Sequence, residues 1–156
     1  MKPRSTIFLI LVIVLTAFIF SNSMQDAQAS SEQSGTVVAL LARIAAGLGV
    51  AFSEGTAVTV VRKGAHVAEF FLLGLCWGGV FLAQGTRFLG KVIYVLFAGL
   101  LTACCDELIQ MFSDGRGSMV SDVFVDFSGV VLAALLCLLI ACLRDRKRGR
   151  RHGPIH

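Results

Sequence analysis

Apolar residues fall in long blocks along this chain, separated by short polar stretches. Three runs, 64–84, 92–112 and 120–143, are each long enough to cross a bilayer as a helix, since a hydrocarbon core of about 30 Å takes about 20 helical residues. A further run, Thr6–Phe20, is shorter, and Ser21, Asn22 and Ser23 can extend its polar end. Another apolar stretch, Thr36–Phe52, carries a single arginine, Arg43, and Gly47 and Gly49 loosen its end. The polar "SNSMQDAQASSEQSG" ahead of it reads as an exposed linker. The pattern predicts an all-α membrane protein. Four transmembrane helices, spanning 6–23, 64–84, 92–112 and 120–143, form a bundle. An outer amphipathic or re-entrant helix over 36–52 lies between the first two spans, and a basic tail fills 144–156.

Composition supports this reading. Apolar residues make up 56% of the chain and charged residues 15%, against about 25% charged in an ordinary soluble domain. The formal charge of +4 comes largely from the tail "RDRKRGRR", so it carries no argument for nucleic acid. Lys2 and Arg4 ahead of an apolar run also resemble a secretory signal, but the distribution of basic residues favours a retained anchor. Cys76, Cys104, Cys105, Cys137 and Cys142 all fall within spans. No disulfide framework outside the membrane is implied, and they read as small apolar packing residues.

Basic residues accumulate on the cytoplasmic side of membrane proteins. Four spans put both termini on one side. The start, the loop "QGTRFLGK" and the tail then hold ten of the fourteen Lys and Arg residues, leaving Arg43, Arg62, Lys63 and Arg116 opposite. The expected location is the bacterial cytoplasmic membrane with both termini cytoplasmic. A fifth span over 36–52 would reverse the last three spans and place the basic tail outside.

This orientation gathers the polar residues at the extracytoplasmic end. The first span ends there in Ser21, Asn22, Ser23 and Gln25, and the second begins there with "RKGAHVAEF". The third ends there with Asp106, Glu107 and Gln110, and the fourth begins there with Asp122 and Asp126. At about 1.5 Å of rise per residue, Glu69, Asp106 and Asp126 lie roughly 7 to 9 Å inside the ends of their spans, with His66, Gln110 and Asp122 above them. Arg62 and His66, Asp106 and Gln110, and Asp122 and Asp126 are each four apart and share a helix face. A charge facing lipid costs about 3 kcal/mol or more, so these faces should turn inward. The loop "SDGRGSMVSD" closes the pocket, with Arg116 held between Gly115 and Gly117 and Ser118 or Ser121 available to cap the last helix.

Ion pairing alone could explain such residues, as staples between helices. Six acids (Glu69, Asp106, Glu107, Asp114, Asp122, Asp126) nevertheless face three bases (Arg62, Lys63, Arg116). The excess points to protonated acids, a bound cation or a cationic ligand group.

The ordered set "FSNSMQ", "RKGAH", "DELIQMF" and "DGRGSMVSDVFVDFSG" resembles the VanZ-like family of small bacterial membrane proteins over most of Phe20–Gly129. By that resemblance Arg62, Lys63, His66, Asp106, Glu107, Gln110, Arg116, Asp122 and Gly129 fall on family motif positions. Asp126 stands where many members have Asn. Ser21-Asn22-Ser23-Met24-Gln25 departs from the Ser-Ser-Gln that many members show there. The family takes its name from a protein associated with low-level teicoplanin resistance, so the resemblance implies a cell-envelope role without a defined reaction.

Three functions fit these residues. The first is a site for an envelope lipid or lipid-linked wall-precursor head group. Arg62, Lys63 and Arg116 would hold phosphate, Gln110 and Asp126 would contact the ligand, and His66, Glu69, Asp106, Glu107 and Asp122 would act as general acid or base or hold a divalent cation. The second is an ion- or proton-coupled transporter, against which the inner halves of the spans are nearly all apolar. The third is a structural partner of an envelope complex, for which Gly74 and Gly78 permit close helix packing. No H-E-x-x-H, G-x-S-x-G or P-loop pattern is present.

Overall fold

In a computed structural model, which describes residues 3–25, 27–47, 53–82, 88–113 and 119–151, the chain folds into five helices. They are α1 (Pro3–Ser23), α2 (Ala27–Gly47), α3 (Glu54–Leu82), α4 (Phe88–Gln110) and α5 (Val120–Arg151). No strand occurs among the described residues. Four helices are long and apolar enough to cross a membrane, over Pro3–Ser23, Gly55–Phe81, Gly90–Gln110 and Val120–Arg144. Among the described residues, the apolar part of α2, Gly35–Ile44, is shorter than these four. The architecture is therefore four candidate spans with an additional helix between the first two.

Two boundaries differ from the expectation. The polar stretch read as a linker is helical from Ala27, and α2 is described as far as Gly47, with 48–52 outside the described residues. Ala27, Gln28, Ala29, Glu32 and Gln33 are good helix formers, and polarity alone does not stop a helix. Likewise α3 begins ten residues before Gly64, at Glu54. Ser53 supplies the start: its carbonyl accepts from the Ala57 amide at 3.0 Å, and Thr56 Oγ1 lies 3.4 Å from Ser53 Oγ. Gly64 sits inside the helix with open space where a side chain would be. Ser121 does not cap α5, because it is already inside the helix, with Oγ 3.4 Å from Asp122 Oδ1. Asp114, Gly115, Arg116, Gly117 and Ser118 lie outside the described residues, as do Gly49, Phe52 and Arg87.

Helix α3 is central and touches all four others, most extensively α5. Small residues set that closeness. Gly74 and Gly78 on α3 face Ala133 and Cys137 on α5, where an added Cβ would lie 2.7 Å from Ala133 Cβ and 2.8 Å from Cys137 Sγ. Gly129 completes the seam: a Cβ there would overlap the Val67 carbonyl oxygen and lie 2.8 Å from the Phe71 amide nitrogen. Positions 129, 133 and 137 are four apart and form one face of α5. Gly74 and Gly78 thus pack within the chain, where close backbone approach supplies the van der Waals contact that holds helices together in lipid. Phe70, Leu73, Ile19, Val130 and Ala103 fill the centre. Ile7, Ile13, Phe97, Leu101, Leu132 and Leu139 point outward, as lipid-facing residues would.

Candidate functional site

The polar residues converge at the end of the bundle where α1 and α4 finish and where α5 begins, beside the first half of α3. Each is placed by its helix register. Glu107 ties α4 to the residue just ahead of α5, since its Oε1 accepts from the Met119 backbone amide at 2.7 Å. Ser113 Oγ donates to the Ser23 carbonyl at 2.8 Å, tying the end of α4 to the end of α1. Asn22 Nδ2 donates to Glu69 Oε1 at 3.1 Å, joining α1 to α3.

Within this frame Lys63 of α3 pairs with Asp122 of α5, Nζ to Oδ1 at 2.5 Å. One turn deeper, His66 Nδ1 lies 3.5 Å from Asp126 Oδ1 and 3.9 Å from Asp106 Oδ2. Gln110 Nε2 donates to Asp106 Oδ2 at 2.9 Å and lies 3.4 Å from Ser23 Oγ. Asp106, Glu107 and Asp126 are buried, at 0%, 5% and 2% exposure. Such burial is costly unless every oxygen finds a partner. Asp126 Oδ2, Glu69 Oε2 and Glu107 Oε2 are buried and accept no hydrogen bond among the described residues. The carboxylate network is thus incomplete, and it can take up a proton, a cation or a donor from a ligand.

A cleft of about 20 Å³ opens here, room for one or two water-sized occupants. Among the described residues it is lined by Arg62, Lys63, His66, Gln110, Asp122, Val125 and Asp126. Arg62 makes no ion pair among the described residues. Asp106 stands behind His66 and Gln110. Glu69 and Glu107 make the interhelical contacts given above and do not line the cleft. Arg116 is outside the described residues. One side-chain nitrogen of His66 and one oxygen from each of Asp106 and Asp126 lie within 4.8 Å of one another, and could together hold a metal ion.

Asn22, Ser23, Ser113 and Val125 are the participants not singled out as site residues from the sequence. The polar end of the first span signalled Asn22 and Ser23. Nothing in the pattern marked Ser113, whose role rests on a backbone carbonyl. The described cysteines are all free.

No curated protein and no solved structure shows significant similarity to the chain. The sequence profile of the VanZ/LLP1 family matches residues 8–141, a stretch that includes all four candidate spans for most of their length and every residue of the polar cluster. The chain belongs to the VanZ/LLP1 family.

Proposed function

We propose that the polar end of the bundle faces the extracytoplasmic side of a bacterial cytoplasmic membrane and binds the phosphate-bearing head group of an envelope lipid or lipid-linked wall precursor. The observation that carries this reading is Arg62. It lines the cleft without an ion pair among the described residues, whereas Lys63 is engaged by Asp122. An arginine at a membrane interface with its fork available suits a phosphate. The small cleft admits the head group's edge, and its acyl or prenyl tail would stay in the surrounding lipid. His66, with Asp106 and Asp126 behind it, is the group best placed to move a proton at such a ligand.

Transport across the membrane is less well supported. Below Asp106 and Asp126 the core continues as Phe70, Leu73, Ala103, Val130, Ala133 and Ala134, all buried and apolar. Family membership supports an envelope role and, with it, an influence on susceptibility to glycopeptides such as teicoplanin. Asp106→Asn tests whether the cluster is more than a staple. At matched membrane abundance and thermal stability, it is expected to abolish the protein's effect on glycopeptide susceptibility. An effect that falls only in proportion to folded protein contradicts the reading.

A further inference from the structure

We infer that His66, Asp106 and Asp126 form a binding site for one transition-series divalent cation of the Zn²⁺ or Mn²⁺ class. Three helices supply the ligands, α3, α4 and α5, so the site exists only in the assembled bundle. The Nδ1 of His66 is 3.5 Å from Asp126 Oδ1 and 3.9 Å from Asp106 Oδ2, and one possible ligand atom from each of the three residues lies within 4.8 Å of the others. Metal–ligand bonds of about 2.0–2.2 Å place neighbouring ligand atoms about 3 to 3.5 Å apart, so side-chain adjustments of up to about 1 to 2 Å close the set.

A second observation points at a ligand independently of this clustering. Asp126 is 2% exposed, lines the cleft, and its Oδ2 is buried with no hydrogen-bond partner. An anionic oxygen in that setting is costly unless a proton or a cation meets it, and the cleft beside it gives a cation access. Gln110 Nε2, bonded to Asp106 Oδ2 at 2.9 Å, orients that carboxylate as an outer-shell donor orients a metal ligand.

The donor set selects the metal. One imidazole nitrogen with two carboxylates suits Zn²⁺, Mn²⁺ or Fe²⁺, whereas Ca²⁺ and Mg²⁺ favour oxygen donors throughout. Three protein ligands leave coordination positions open toward the cleft. A cation there would also offset two of the carboxylates that outnumber the bases at this end.

The test uses the full chain, stripped with chelator and held in a neutral maltoside detergent without phospholipid. Mn²⁺ binding is followed by electron paramagnetic resonance. Zn²⁺ binding is followed calorimetrically in a variant lacking all five cysteines, so that thiolates do not contribute. Wild type is expected to bind one equivalent of either ion and at least tenfold more tightly than Mg²⁺. Asp126→Asn and His66→Gln are each expected to weaken binding at least tenfold, with helix content and elution volume unchanged. If Asp126→Asn does not fold, His66→Gln decides. Absence of stoichiometric binding, or binding that both variants retain, overturns the site. Because no phosphate-bearing lipid is present, that failure would leave the head-group reading untouched.

Discussion

Lys63 and Asp122, 59 residues apart, meet at 2.5 Å across the α3–α5 seam. The pair fixes the rotation of the two helices at the mouth of the cleft. It also occupies the Lys63 ammonium, whereas Arg62 lines the cleft without an ion pair among the described residues. Their side chains are 34% and 20% exposed, so the attraction is partly screened. A double-mutant cycle of Lys63→Ala and Asp122→Ala should give a coupling of about 0.5–1 kcal/mol in thermal or chemical unfolding. Zero coupling would mean that the two groups do not hold each other in the folded protein.

Gly129 and Gly64 make opposite predictions for the same substitution. A Cβ at Gly129 meets the backbone of α3, which cannot yield. Gly129→Ala should destabilise the bundle by about 1–3 kcal/mol or more, the usual cost of overpacking. Gly64 is helical with open space around it, so Gly64→Ala should be neutral or stabilising by up to about 1 kcal/mol. Unfolding midpoints in detergent separate the two. Equal effects would contradict the close α3–α5 approach.

Glu107 is a positioning residue by its contacts, since one oxygen accepts the Met119 amide and the side chain does not line the cleft. Glu107→Ala should cost about 1–3 kcal/mol, because it strands a backbone donor. Glu107→Gln keeps an acceptor and should cost less than half as much, with ligand binding close to wild type. Loss of binding in a well-folded glutamine variant would instead make the charge itself part of the site.

The four spans were legible because hydropathy over about 20 residues is a local property of the chain. The gathering of the acids at one end was legible for the same reason: helical rise converts position in sequence into depth. What stayed hidden depends on contacts between helices. Nothing in the sequence ranks Lys63 above Arg62 as the partner of Asp122, because the choice is set by helix rotation. Glu107 could not be told from Asp106, its neighbour, although the two point about 100° apart and do different work. The early starts of α2 and α3 were missed because polar and glycine-containing stretches are compatible with helix, and only packing against α3 or a cap such as Ser53 decides.

Orientation has its own test. The basic residues predict both termini in the cytoplasm and α2 outside. In a cysteine-free background, a membrane-impermeant maleimide applied to intact cells should label Thr36→Cys and leave Gly149→Cys unlabelled. Labelling of position 149 alone would put the polar end in the cytoplasm.

The most direct measurement of the central claim is lipid head-group binding to the chain in phosphatidylcholine nanodiscs. A polyprenyl phosphate is compared with the matching polyprenyl alcohol, so that only the phosphate differs. Wild type is expected to bind the phosphate at least about tenfold more tightly, about 1.4 kcal/mol. Arg62→Ala should abolish that preference. Arg62→Lys should recover little of it, since an ammonium cannot make the forked contact. Lys147→Ala, at the far end of α5, should leave it unchanged. A wild-type protein that binds phosphate and alcohol alike, or a preference that survives Arg62→Ala, would contradict a head-group site at this end of the bundle.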